Sequence, residues 1–192
     1  MPHIELGNDQ PGIRSLFFYR PETAGPLCEL VEVLLRGPST LERWERELIA
    51  THVSELNECR YCATTHGAFT AAQLPDGMDP ALIRSDLGAA PISDKLKALL
   101  AIAAAVQRGG RNVTPELIDD AREAGATDLE LHDAVLIAAA FCMYNRYVDG
   151  LATIAPDDPQ NYANRAKALV QEGYMPIVDA ARAHKAAQAT RP

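Results

Sequence analysis

The chain has 192 residues, with 18 Lys plus Arg against 26 Asp plus Glu and a formal net charge of −8. That length suits one domain, and that charge excludes a non-specific nucleic-acid binder and argues against an anionic membrane surface, since both call for a basic footprint. Apolar residues make up 47% of the chain, too many for a disordered one, and 32 residues are Ala, the best helix former, so the composition points to closely packed helices.

Residues 1–25 contain Pro2, Gly7, Pro11, Gly12 and Pro21 and read as an irregular N-terminal arm anchored by Ile13, Leu16, Phe17 and Phe18. Residues 26–36 have helical apolar spacing that stops at Gly37-Pro38. Ser39 and Glu42 form a capping-box pattern, which predicts a helix from there to about Asn57. In it, Leu48, Ile49, His52, Val53 and Leu56 make an apolar stripe. Glu47, Ala50, Thr51 and Ser54 make a small polar face that another helix can approach closely, partly burying Glu47. The next helix is expected from about Cys59 to Gln73, followed by a loop at Pro75 and Gly77 and a short helix over 80–87. Ser93 caps a helix that ends at Gly109-Gly110, and Thr114-Pro115 starts one that Gly125 ends. Thr127 and Glu130 form a second capping box, opening a long helix to about Leu151. Asp158-Pro159 starts a helix to about Glu172, and the Ala-rich tail 176–192 carries a last helix over 176–189, amphipathic at best, suited to exchange in an oligomer or to fray. No stretch alternates as a strand does. The expected architecture is a single all-α domain over 1–192, packed as a bundle.

The longest apolar runs, 98–106 and 134–144, have nine and eleven residues, against roughly 20 for a spanning helix. The N-terminal residues show no basic segment followed by an apolar core, so a cytoplasmic location is expected, where structural disulfides are rare. Of Cys28, Cys59, Cys62 and Cys142, only Cys59 and Cys62 form a motif. A close pair in a reducing compartment points to redox chemistry or metal binding. Cys28 and Cys142 lie on apolar helical patterns and read as inert core thiols.

Glu47, Cys59, Cys62 and His66 follow the spacing E-x11-C-x2-C-x3-H. On a helix, positions 59, 62 and 66 share one face. Cys59 falls in the first turn, where the helix dipole favours a thiolate. His66 lies one turn beyond Cys62, and Glu47 on the preceding helix can accept the other imidazole proton. Carboxylate, imidazole and thiol in series form a relay that makes a thiolate. Two plainer readings stay open: a pair of ordinary buried cysteines, and a zinc site from Cys59, Cys62, His66 and a carboxylate. Structural zinc sites draw on two separated pairs, and the chain has no second C-x2-C. Neither a metal nor a cofactor is expected, and no Gly-rich phosphate loop is present.

His52 and Tyr61 are secondary candidates: His52 as a second relay member or a buried histidine, Tyr61 with Trp44 as exposed residues at an interface or access channel. Asn145 suits a structural or interface role, and Arg146 and Asp149 are spaced to pair. His3, His132 and His184 read as surface residues.

From Glu45 through His66, with Pro11-Gly12-Ile13, Arg20-Pro21-Glu22-Thr23 and the segment 141–149 containing Asn145-Arg146, the chain resembles the carboxymuconolactone decarboxylase / alkylhydroperoxidase AhpD-like superfamily, in its peroxidase-related group. The resemblance spans roughly residues 10–155. It implies an all-α fold that assembles into dimers, trimers or hexamers. It implies a hydroperoxidase or disulfide reductase in which Glu47 is the base end of the relay, His66 its middle, and Cys59 and Cys62 the redox pair. The electron donor would be an external dithiol, lipoyl-bearing in AhpD. AhpD carries a second relay histidine immediately before its downstream cysteine; Tyr61 stands there in this chain, which implies weaker or redirected peroxidase activity. Dipole logic favours Cys59 as the attacking thiol; proximity to His66 favours Cys62, which is expected to attack, with Cys59 as the resolving thiol. Two other readings stay open: decarboxylation of a γ-carboxylated lactone, against which the cysteine pair speaks, and a non-enzymatic oligomer whose dithiol senses redox state.

Overall fold

The computed structural model describes residues 1–85 and 88–189. They form ten helices and one 3₁₀ turn over Gly110–Asn112, and among them there is no strand. The helices are α1 (Ile13–Tyr19), α2 (Pro21–Arg36), α3 (Arg43–Leu56), α4 (Arg60–Ala71), α5 (Pro80–Ser85), α6 (Asp94–Arg108), α7 (Pro115–Glu123), α8 (Asp128–Gly150), α9 (Pro159–Glu172) and α10 (Pro176–Ala189). Positions 86–87 of the expected short helix and 190–192 of the expected tail lie outside the described residues. No helix is long and apolar enough to cross a membrane.

Three expectations about the elements change. The arm is helical from Ile13, because Leu16 and Phe17 bury on one side of α1. Pro21 occupies the first position of α2, where its fixed φ suits a helix. The helix continues through Pro26, with only its first turn upstream to be disturbed. α3 starts at Arg43 and not at Ser39: the Glu42 N–H donates to Glu45 Oε2 at 2.8 Å, while Ser39 Oγ is taken by the Leu41 N–H at 3.2 Å in a local turn. The C-terminal tail is docked, with Ile177, Val178 and Ala181 of α10 buried and the helix packed on α1 and α2.

α3 lies at the centre, packed against α4, α6 and α8. Its small polar face is more buried than its apolar stripe: Ala50, Thr51 and Ser54 are inaccessible, whereas His52 of the stripe is half-buried and Leu56 is exposed. The two hydroxyls donate to their own helix, Thr51 Oγ1 to the Glu47 carbonyl and Ser54 Oγ to the Ala50 carbonyl, each at 2.8 Å. Burial therefore orphans neither of these two hydroxyls, and α4 and α8 can approach the backbone. Asn145 of α8 donates to Ser54 Oγ at 3.1 Å and accepts from Asn57 Nδ2 at 2.8 Å, a buried polar tie between α3 and α8. Arg146, expected to pair with Asp149, donates instead to the Cys142 carbonyl.

The expected cap of α8 is present, with the Thr127 N–H on Glu130 Oε2 at 2.8 Å. Burial alone would raise the Glu130 carboxyl, but Lys95 Nζ at 2.7 Å, with Thr127 and Thr40, holds it at about 2.

Candidate active site

The turn from α3 to α4 sets the site. The Asn57 N–H bonds the Val53 carbonyl and the Cys59 N–H bonds the Ser54 carbonyl. Between them Glu58 adopts φ 58°, the left-handed conformation that ends a helix. The chain reverses at once, and Cys59 becomes the residue capping α4. Cys62, not Cys59, therefore sits in the first turn of the helix, where the dipole acts.

Both thiols are free and buried. Cys59 is fully enclosed beside Tyr61, Val148 and Tyr162. Its thiol is held well above the ordinary range, first because it bonds the Cys62 sulfur and second because it is desolvated, while the Cys62 backbone N–H pulls the other way. Cys62 instead borders a cavity of about 60 Å³, together with His66, Tyr61, Phe141 and Tyr174. That volume holds a few water-sized groups, and most of its lining is apolar.

His66 Nδ1 lies 2.7 Å from Glu47 Oε2. With Glu47 as a carboxylate, Nδ1 carries the proton and donates, which leaves Nε2 as the free acceptor. Phe141 and Phe69 meet the imidazole edge-on, at centroid distances of 4.6 and 5.2 Å, and hold its plane. The other Glu47 oxygen, Oε1, accepts from Tyr174 Oη at 2.6 Å. Glu47 is 1% exposed, so the carboxylate is wholly buried, where the spacing predicted partial burial. Burial, then the carboxylate beside it, raises the Tyr174 phenol well above its usual range.

The structure thus brings Glu47, Cys59, Cys62 and His66 together. It does not bring in His52, which is half-buried on another side of α3 and is not a partner of Glu47; desolvation lowers its pKa. Tyr61 and Trp44, expected on the surface, are both buried. The Tyr61 ring packs onto Gly12, where an added Cβ would meet it at 2.1 Å, and stands 6.2 Å from the Tyr162 ring. Cys28 lines the same cavity as Cys62, and burial pushes its thiol up to about 11. His132 is exposed beside Asp133, and His184 packs against Phe18. Among the described residues, no group of three or more His, Cys, Asp and Glu side chains is placed to hold a metal.

No protein-family model matches the sequence, and no curated protein matches it. Solved structures do. An uncharacterized peroxidase-related protein from Silicibacter sp. TM1040 superposes with a TM-score of 0.68 at 24% identity, covering 80% of this chain and 78% of that one. An alkylhydroperoxidase AhpD core, an uncharacterized peroxidase-related protein from Ralstonia eutropha JMP134, gives 0.70 at 24% identity over 80% and 79%. The chain has the AhpD core fold. At 24% identity the likeness is one of fold, and the chemistry has to be read from the side chains.

On this AhpD fold, two residues near the site escaped the sequence reading. Tyr174 comes from the linker between α9 and α10, 127 positions from Glu47. Gly173 before it takes φ 78°, and a Cβ there would lie 2.6 Å from Glu32 Oε2. The same Glu32 oxygen receives the Tyr174 N–H at 2.8 Å, so a glycine and an α2 carboxylate aim the phenol inward. Arg165 of α9 also lines the cavity. Neither position belongs to a local motif; the only signal was an aromatic residue directly after a helix-ending glycine.

Proposed function

We propose that this chain is a cytoplasmic thiol-dependent hydroperoxidase in which Cys62 attacks the peroxide and Cys59 resolves the product. One observation carries the reading: Cys62 and an imidazole polarised by a buried carboxylate border the same cavity, with the Cys59 thiol in contact on the closed side.

His66 accepts the Cys62 proton through Nε2, directly or across a water in the cavity, and Glu47 balances the imidazolium. The thiolate attacks the terminal peroxide oxygen, the O–O bond breaks, and the leaving alkoxide takes the proton back as an alcohol. The Cys62 sulfenic acid is then attacked by the Cys59 sulfur. The S–O bond breaks, and hydroxide leaves with the Cys59 proton as water, forming the Cys59–Cys62 disulfide. An external dithiol reduces it by exchange. The protein supplies all groups for the oxidative half, so no cofactor is required. Tyr61 at the position of AhpD's second histidine leaves a relay with a single imidazole. Homo-oligomeric assembly belongs to the same proposal, supported by the exposed Leu129 and Met143 of α8; light scattering tests it.

The decisive measurement is a free-thiol count with intact mass, before and after one equivalent of cumene hydroperoxide. The expected result is loss of Cys59 and Cys62 thiols, a mass decrease of about 2 Da and a Cys59–Cys62 crosslinked peptide. Survival of all the thiols would overturn the reading. Rapid disulfide formation without catalytic turnover, accompanied by a change in oligomer size, would move the function to redox sensing.

A further inference from the structure

We infer that the cavity beside Cys62 continues into an anion-binding subsite formed by Arg14 and Arg165, and that the molecule it takes is an aliphatic carboxylate whose apolar body reaches the thiols. The binding claim stands on geometry; the claim that the ligand reacts rests on the hydroperoxidase reading above.

A second cavity, of about 220 Å³, adjoins the first, and the two share Arg165, Tyr174 and Ile177 as a common wall. Arg14 of α1 borders the second cavity from the other side. The chain has more acids than bases, 26 against 18, yet among the described residues no carboxylate pairs with either arginine. Arg14 Nε donates to the neutral Gln10 Oε1 at 3.0 Å. Arg165 Nε is buried and has no hydrogen-bond partner among the described residues. Glu172 also borders this cavity, but it is exposed and forms no ion pair with either guanidinium. Burial, then Arg165, lowers the Arg14 pKa to about 10, as expected of two cations facing one space without an anion between them.

A buried donor without an acceptor and two facing guanidinia are both costly, and a carboxylate relieves both at once, since a guanidinium fork matches it in shape and charge. The Cys62 end is walled by Phe17, Leu27, Val31 and Phe141. A ligand charged at one end and aliphatic along its length fits that polarity. The carboxylate belongs to the oxidant, as a hydroperoxy acid, or to the reductant, as a dithiol acid.

The test is calorimetry on the reduced protein with octanoate and with octanol as probes. Octanoate should bind at least about tenfold more tightly than octanol, and the preference should shrink as salt rises. Arg165→Gln and Arg14→Gln should each cost about tenfold in octanoate affinity and leave octanol unchanged. Arg14 contacts no thiol, so its variant serves if Arg165→Gln fails to fold. Equal binding of the two probes, no binding, or unaltered octanoate affinity in both variants would overturn the inference. Stopped-flow half-reactions then separate the sources. Preference for a hydroperoxy acid over its methyl ester assigns the carboxylate to the oxidant; preference for dihydrolipoate over dihydrolipoamide assigns it to the reductant. Octanoate binding without peroxide turnover would sink the hydroperoxidase reading and leave the subsite standing. Peroxide turnover with equal binding of octanoate and octanol would do the reverse.

Discussion

Tyr174 Oη donates to Glu47 Oε1 at 2.6 Å, while His66 Nδ1 holds Glu47 Oε2 at 2.7 Å. Each oxygen of one buried carboxylate thus has its own partner, one from the next helix and the other from the linker before α10, 19 and 127 positions from Glu47. A phenol at this position fixes the direction of the carboxylate, which in turn fixes the tautomer of the imidazole that shares a cavity with Cys62.

Tyr174→Phe removes that donor while keeping the ring. Losing a hydrogen bond to a buried charged group costs roughly 1.5–3 kcal/mol, so the melting temperature should fall measurably. Because Glu47 is less firmly aimed, oxidation of the dithiol by cumene hydroperoxide should slow by roughly tenfold, the equivalent of about 1.4 kcal/mol. Stopped-flow rates on a folded variant check this; an unchanged rate would reduce Tyr174 to a packing residue.

Cys59 keeps its proton because it bonds Cys62 and is enclosed, whereas Cys62 borders a cavity. Iodoacetamide at neutral pH should therefore alkylate Cys62 before Cys59, as read by peptide mass. In Cys59→Ser, one equivalent of peroxide should leave a Cys62 sulfenic acid that dimedone traps; in Cys62→Ser no sulfenic acid should form. Both variants should lose turnover. Labelling of Cys59 first would reverse the assignment of the two thiols.

Cys28 gives a pH prediction. Its folded value of about 11 lies above the ordinary thiol value of 9.0. The unfolded chain therefore ionises Cys28 first as pH rises. The stability contributed by keeping this thiol neutral is fully present below about pH 9 and is lost as pH climbs through about 11. The difference amounts to roughly 2–3 kcal/mol. Urea unfolding across this range should show the decline, and Cys28→Ala should flatten it. An identical slope in the variant would remove Cys28 as a cause.

Glu58 is exposed and holds φ 58° at the hinge between the two site helices. Left-handed backbone costs an L-residue about 1–2 kcal/mol, part of which Gly recovers while adding freedom to the unfolded chain. Glu58→Gly should be neutral or stabilising by up to about 1 kcal/mol with dithiol oxidation intact. Glu58→Val should destabilise, since a β-branched residue is poorly tolerated there. Thermal melts compare the two; equal melting temperatures would mean the hinge carries no strain.

Much of the helical order was legible because helix ends are local events. Ser93, Thr114 and Asp158 accept from amides two or three residues ahead, and Thr127 forms the box its spacing announced. α1 was missed because the helix is stabilised by burying Leu16 and Phe17 against other elements, while the adjacent glycines and prolines read as irregular. The start of α3 was misplaced because Ser39 has a nearer amide to serve. His52, Tyr61 and Trp44 could not be placed, since exposure depends on which elements pack over a face.

By itself, the sequence determined an all-helical chain and the register of Glu47, Cys59, Cys62 and His66, because helix periodicity and capping act over a few residues. Tertiary structure alone decided that the small polar face of α3 turns fully inward and that Cys62 rather than Cys59 meets the cavity. It also brought Tyr174 and Arg165 to that cavity from the far end of the chain. Those outcomes depend on contacts between residues far apart in sequence, which no local spacing encodes.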